Sequence, residues 1–170
     1  MDCEYNPIYT LLSLQKRSCM KYLGILLSTL LFSQQTFAVT CYLTMVKGEC
    51  WKSYDLTVDI SDADTGKAIK TVLVPEGQAW IRQEFDCKPG NTIALAAKFS
   101  PVFWERDDDK TFQGQRYWKL PDVIKPGETG WNVTVCFPAQ FADVPAPPTG
   151  NSHCHCNFTN IPKIVPPKLP

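Results

Sequence analysis

Apolar and polar residues alternate along much of this chain with the two-residue period of a half-buried β-strand. Tyr54-Asp55-Leu56-Thr57-Val58-Asp59-Ile60 is the clearest case. Asp62-Ala63-Asp64-Thr65-Gly66-Lys67 follows as a turn, and the β-branched run Ile69-Lys70-Thr71-Val72-Leu73-Val74 reads as the returning strand, so 54–74 predicts a hairpin. Pro75-Glu76-Gly77, Lys88-Pro89-Gly90-Asn91 and Lys125-Pro126-Gly127-Glu128-Thr129-Gly130 are turn signals. Between and after them, 79–85, 92–99, 117–120 and 131–137 read as further strands. The alanines of 92–99 would also suit a short helix. No stretch sustains a 3.6-residue period with caps, and no internal repeat is visible. The pattern predicts an all-β fold, a small disulfide-stapled β-sandwich of immunoglobulin-like type over residues 39–137.

From 138 to 170 the pattern gives way to proline, with Pro145-Ala146-Pro147-Pro148 and Ile164-Val165-Pro166-Pro167 as its densest points. Proline lacks the N–H that a strand ladder needs, so this segment predicts an extended tail of polyproline character.

Ahead of the strands, Lys21 precedes the apolar run Leu23–Phe32, which leads into the small-residue site Thr36-Phe37-Ala38. Charged, apolar and cleavage regions in that order are a secretory signal, and residues 1–38 are read as one. The run would span about 15 Å as a helix, half of a bilayer core, so no transmembrane segment is expected. Met20-Lys21 resembles a translation start, which would make 1–19 an over-long beginning; starting at Met1 lengthens the charged region and leaves the same cleavage. Val39-Thr40 before Cys41 makes a poor lipidation site.

Lys plus Arg and Asp plus Glu are equal at 17 each, so the formal charge is zero. Nucleic-acid binders usually carry a basic excess, and no nucleic-acid partner is expected. Export gives the cysteines their meaning. Cys41, Cys50, Cys87, Cys136, Cys154 and Cys156 follow the signal, an even set that predicts three disulfides. Cys154 and Cys156 have only His155 between them, so each should pair elsewhere and pin the tail. Cys87 and Cys136 both follow strand-like runs and could join strand ends, leaving Cys41 and Cys50 for Cys154 and Cys156; a local Cys41–Cys50 loop is the rival. The connectivity stays open.

Candidate chemistry is sparse. His153 and His155 are the chain's two histidines, so residues 39–137 hold no imidazole for a Ser-His-Asp or Cys-His arrangement. No catalytic residue and no cofactor is expected, and the chain is read as a non-enzyme. His153-Cys154-His155-Cys156 invites comparison with a zinc or copper site, with His153 and His155 as the alternative ligands. In an extended chain, however, the histidines and cysteines point to opposite faces, which favours disulfides over metal. Asp62-Ala63-Asp64-Thr65-Gly66 begins like a calcium loop but places Gly66 and Leu73 where ligands would be needed, so it reads as a turn. Glu105-Arg106-Asp107-Asp108-Asp109-Lys110 lies among Phe103, Trp104, Phe112, Tyr117 and Trp118. Acids beside aromatics could bind sugar or serve a carboxylate hydrolase; aromatics on a solvated loop more often make a protein interface, which is the reading taken for these five. Asn132-Val133-Thr134 and Asn157-Phe158-Thr159 fit the glycosylation sequon but are incidental in a bacterial export route.

From Cys41-Tyr42-Leu43-Thr44-Met45-Val46-Lys47-Gly48-Glu49-Cys50-Trp51 through His153-Cys154-His155-Cys156, the chain resembles small periplasmic accessory subunits of the outer-membrane core complex of type IVB (Dot/Icm) secretion systems. The likeness is one of overall type: signal, β domain, disulfides and Pro-rich tail. It implies a structural subunit of the bacterial periplasm, held at the outer membrane by other protein subunits of an envelope complex. The alternative is a periplasmic binding module for a sugar or a metal.

Overall fold

A computed structural model describes residues 39–103, 110–148 and 154–164. Residues 1–38, read above as a signal, Trp104, the acidic run up to Asp109 and His153 lie outside the described residues.

Eight strands run in the order β1 (Thr40–Lys47), β2 (Asp55–Asp62), β3 (Ala68–Val74), β4 (Trp80–Phe85), β5 (Thr92–Ser100), β6 (Phe112–Gln113), β7 (Trp118–Lys119) and β8 (Gly130–Phe137). They form two sheets, β4-β1-β8 and β3-β2-β5-β6, with β7 pairing β5 beyond β6. The described part is all-β and holds no α-helix, so the alanines of β5 go to strand rather than helix. The reason is visible in the register. β5 lies between β2 and the short β6 and β7, and its buried Ile93, Leu95, Ala97 and Phe99 alternate with less buried Thr92, Ala94, Ala96 and Lys98. The 54–74 hairpin forms as the alternation predicts, with Leu56 opposite Val74 and Val58 opposite Val72.

Inward side chains from both sheets share one core, among them Leu43, Met45, Val58, Ile93, Val133 and Val135. Trp51 sits at its centre on a single 3₁₀ turn, Glu49–Trp51. Its ring meets Phe99 and Phe137, each with centroids 4.8 Å away and edge-on. Such pairs add about 0.5–1.5 kcal/mol beyond the area they bury. Phe112 stacks on Phe99 at 5.5 Å and is 2% exposed. Phe103, half-buried, stacks on the same ring at 5.0 Å.

β1 is absent from the strands that the pattern predicts. Leu43, Thr44, Met45, Val46 and Lys47 are all buried, so both faces of the strand are covered and no alternation survives. Lys47 is the unusual member. Its ammonium lies in the interior and donates to Tyr54 O at 2.7 Å and Pro75 O at 2.8 Å, tying the end of β1 to the residue before β2 and the residue after β3. Burial pushes its pKa below the ordinary value, against the opposing pull of Asp55 and Glu76.

Three disulfides join Cys41 to Cys87, Cys50 to Cys154 and Cys136 to Cys156, with Cα–Cα distances of 6.0, 5.3 and 5.8 Å. They fit an oxidising compartment outside the cytosol. Cys154 and Cys156 pair with different partners and pin their segment against Gly48, which bridges Cys156. A Cβ at Gly48 would lie 3.0 Å from Cys154 O, so the approach needs glycine. The expected Cys87–Cys136 bridge does not form. β4 runs antiparallel to β1 and β8 parallel to it, which puts Cys87 beside the start of β1 and Cys136 beside its end. The local Cys41–Cys50 loop fails for a related reason: the full length of β1, about 26 Å at 3.3 Å per residue, separates the two. Packing also continues past β8. Phe141 is 2% exposed within the core, and Ala142 N–H donates to Gln113 O at 2.8 Å, so the first residues of the proline-rich segment belong to the packed body. Among the described residues, no helix is long and apolar enough to cross a membrane.

The Cys50–Cys154 bridge closes a sequence separation of 104 and Cys136–Cys156 one of 20. Replacing the first pair with alanines should therefore cost about 1.5 kcal/mol more than replacing the second, read from urea unfolding of the two variants. Lys47 makes a second prediction. Between its depressed folded pKa and the ordinary value of 10.5, the unfolded chain binds the extra proton, so stability should rise with pH across that window. The rise should be smaller in Lys47→Met, compared as urea midpoints at several alkaline pH values.

Candidate interaction groove

Of the five aromatic residues expected at an interface, the four described, Phe103, Phe112, Tyr117 and Trp118, divide. Phe112 and Phe103 belong to the ring cluster around Trp51, because β5 carries Phe99 inward and the chain before and after the acidic run must cross that end of the core. Tyr117 is 68% exposed. Trp118, on β7, is half-buried, with the Arg116 guanidinium 5.2 Å over its ring. Gly114 makes the close approach possible on the other part of that ring: a Cβ there would lie 3.2 Å from both Trp118 and Leu95 O.

Tyr117 and Trp118 face a groove of about 560 Å³ whose opposite wall is the first half of β8. The groove exists because one seam between the sheets is closed at one end and open at the other. Near the end of β8, Gln115 N–H donates to Gln140 O at 2.9 Å, and Gly114 bridges Phe141. Toward the start of β8 no such crossing occurs among the described residues, and residues 116–121 stand apart from Gly130–Thr134.

The hydrogen-bonding direction of β8 follows from its ends. Thr40 N–H donates to Thr129 O at 3.2 Å and Gly48 N–H to Phe137 O at 2.6 Å, so odd-numbered carbonyls of β8 point toward β1. In a strand the N–H and C=O of one residue point to the same side and successive residues alternate, so Gly130, Asn132, Thr134 and Cys136 point away. Cys136 confirms the sense: its N–H donates to Gln140 Oε1 at 2.7 Å and its carbonyl accepts from Gln140 N–H at 3.0 Å. Among the described residues, nothing pairs with the backbone groups that Asn132 and Thr134 present.

The Asn132 side chain is already committed. Arg82 Nε donates to Thr44 Oγ1 at 2.9 Å, Thr44 Oγ1 donates to Asn132 Oδ1 at 2.8 Å, and Asn132 Nδ2 donates to Thr134 Oγ1 at 2.8 Å. This relay crosses all three strands and satisfies Thr44, which is buried. Trp131 turns the other way into the core, its indole beside Glu128. The Glu128 carboxyl is held below its ordinary range chiefly by the Lys125 N–H at 2.9 Å, with the indole and the Lys125 charge adding to the effect against slight desolvation.

The remaining candidates do not converge on a site. His155 is exposed in the pinned segment. Among the described residues, no group of three or more His, Cys, Asp and Glu is placed to hold a metal. Asp62 spends one oxygen on the N–H and hydroxyl of Thr65 and the other on Asn91 Nδ2, which makes it a turn residue. Those bonds, the Thr65 hydroxyl first, hold its carboxyl below the ordinary range. Arg116, Asn132 and Thr134 are groove residues that sequence reading assigned no binding role. The polar, exposed positions of β8 carried the signal.

Thr44→Val should lower stability by about 1–2 kcal/mol, because it leaves the Arg82 and Asn132 groups of the relay without their shared partner. Urea unfolding measures the loss, and the Asn132 side-chain amide resonances should shift with it. Comparison with protein-family models, with curated proteins and with solved structures yields no match.

Proposed function

We propose that this chain is a non-enzymatic, exported structural module that binds other proteins within a bacterial envelope assembly. The observation that carries the reading is the groove between Tyr117-Trp118 and the start of β8, where an exposed aromatic lies beside a strand edge with unpaired backbone groups. Aromatics and arginine are the side chains enriched at protein interfaces. Three disulfides suit a part that must keep its shape where thiols oxidise.

The finer elements of the proposal follow from the sequence. Residues 1–38 direct export to the periplasm, the two sheets form an immunoglobulin-like sandwich, and the proline-rich residues beyond the pinned Cys154–Cys156 segment reach toward neighbouring subunits. The assembly proposed is the outer-membrane core complex of a type IVB secretion system, with the protein held at the outer membrane through its partners.

A photocrosslinking amino acid at position 117 tests the reading in intact cells. Irradiation should join the protein to envelope subunits, while the same probe at Leu73, which is exposed on the far edge strand β3, should yield little product. A protein that forms no adduct from either position and migrates as a lone monomer in solubilised envelopes would overturn it.

A further inference from the structure

The geometry points to a specific occupant: we propose that Gly130–Thr134 accepts an extended, acidic segment of a partner protein, which adds to β4-β1-β8 as a fourth strand. This deepens the interaction-module reading and rests on it, naming the class of partner for the same groove.

The backbone sets the mode of binding. Asn132 and Thr134 present N–H and C=O groups away from β1, while the next such position, Cys136, is already closed by Gln140. The open stretch is five residues, about 16 Å at 3.3 Å per residue, which fits a short strand. Main-chain bonds of this kind supply affinity when a peptide joins a sheet edge, and side chains beside the edge select the sequence.

Charge sets the selection. Arg116 and Lys119 line the groove, and among the described residues no carboxylate does. Lys119 shares its charge with Asp122 at 3.3 Å. Arg116 stacks on Trp118, and among the described residues it is paired with no carboxylate. An incoming strand with acidic side chains would meet that guanidinium at the rim.

The same facts weigh against other occupants. Sugar sites use open aromatic faces and planar amides; here Arg116 lies over the Trp118 ring, and Asn132 spends its amide on Thr44 and Thr134. In a second copy paired edge to edge, a twofold axis sets each patch against itself. That arrangement would bring two sets of Arg116 and Lys119 to one seam.

Eight-residue peptides alternating valine with aspartate, serine or lysine provide the test, titrated into the oxidised protein and followed through backbone amide resonances. The aspartate peptide should shift and protect the Asn132 and Thr134 amides and bind roughly five- to tenfold tighter than the serine peptide, as expected for one or two exposed ion pairs. The lysine peptide should bind weakest. Methylating alternate backbone nitrogens of the aspartate peptide should abolish binding, and Arg116→Glu should reverse the preference between aspartate and lysine. Equal binding of all three peptides, or binding that survives N-methylation, overturns the proposal. So does self-association that moves the same amides as concentration rises, or a response of those amides to oligosaccharides but to no peptide. Crosslinking from position 117 without peptide binding would sink strand addition and leave the interaction module standing; loss of both would sink both.

Discussion

The parallel pairing of β1 with β8 is the constraint on which the rest of the molecule depends. These strands lie far apart in the chain, yet Thr40 to Lys47 match Gly130 to Phe137 residue for residue. Because β1 is central, its direction fixes where both neighbours begin and end. β4 brings Cys87 back to Cys41, and β8 delivers Cys136 to the opposite end, beside Val46. Cys136 then holds Cys156, whose Sγ lies 3.4 Å from Val46 O, and the pinned segment covers that end of β1. Disulfide connectivity is thus a consequence of strand direction.

The same pairing makes the interior of β1 a demanding environment. A strand covered on both sides must satisfy every polar atom that it carries inward or outward. Thr44 does so through Arg82 and Asn132, its neighbours on the two flanking strands. Lys47 does so with two carbonyls, those of Tyr54 just before β2 and Pro75 just after β3. A lysine among apolar groups costs desolvation, but its stem packs as hydrocarbon and its head joins two chain segments. That head joins the residue before β2 to the residue after β3, close to where Tyr54 packs on Trp51.

Much of the architecture was legible in alternating positions. β2, β3, β5 and β8 each cover one sheet face and expose more of the other, so their patterns survive in the sequence. β1 was illegible because both of its faces are covered, and β6 because two residues are too short to show a period. The aromatic residues were legible only in kind. Phe112 and Tyr117 stand five positions apart, and nothing local says that one fills the core while the other faces water. That division depends on which residues pair with β5, a non-local fact. The groove was hidden for the same reason: one wall is a loop and the other a strand edge, and only the closed seam at Gln140 shows where the open part begins.

Edges elsewhere in the two sheets are handled differently. Lys70 on β3 reaches across to Glu84 O on β4 at 2.6 Å, so the two outer strands on that side cover each other. On the other side, β6 is two residues long and is sealed by the chain that follows β8. Proteins blunt exposed edges in such ways because an unpaired ladder recruits foreign strands. Against that background, the start of β8 stands out among the described residues. Its outward side chains are tied down across the sheet, its neighbours include cations, and its backbone groups are left facing a groove. Charge at the rim discourages pairing with a second copy, the commonest hazard of a bare edge, while leaving the edge open to a segment of opposite sign. Among the described residues, an edge that is open but charged is selective about what may extend it.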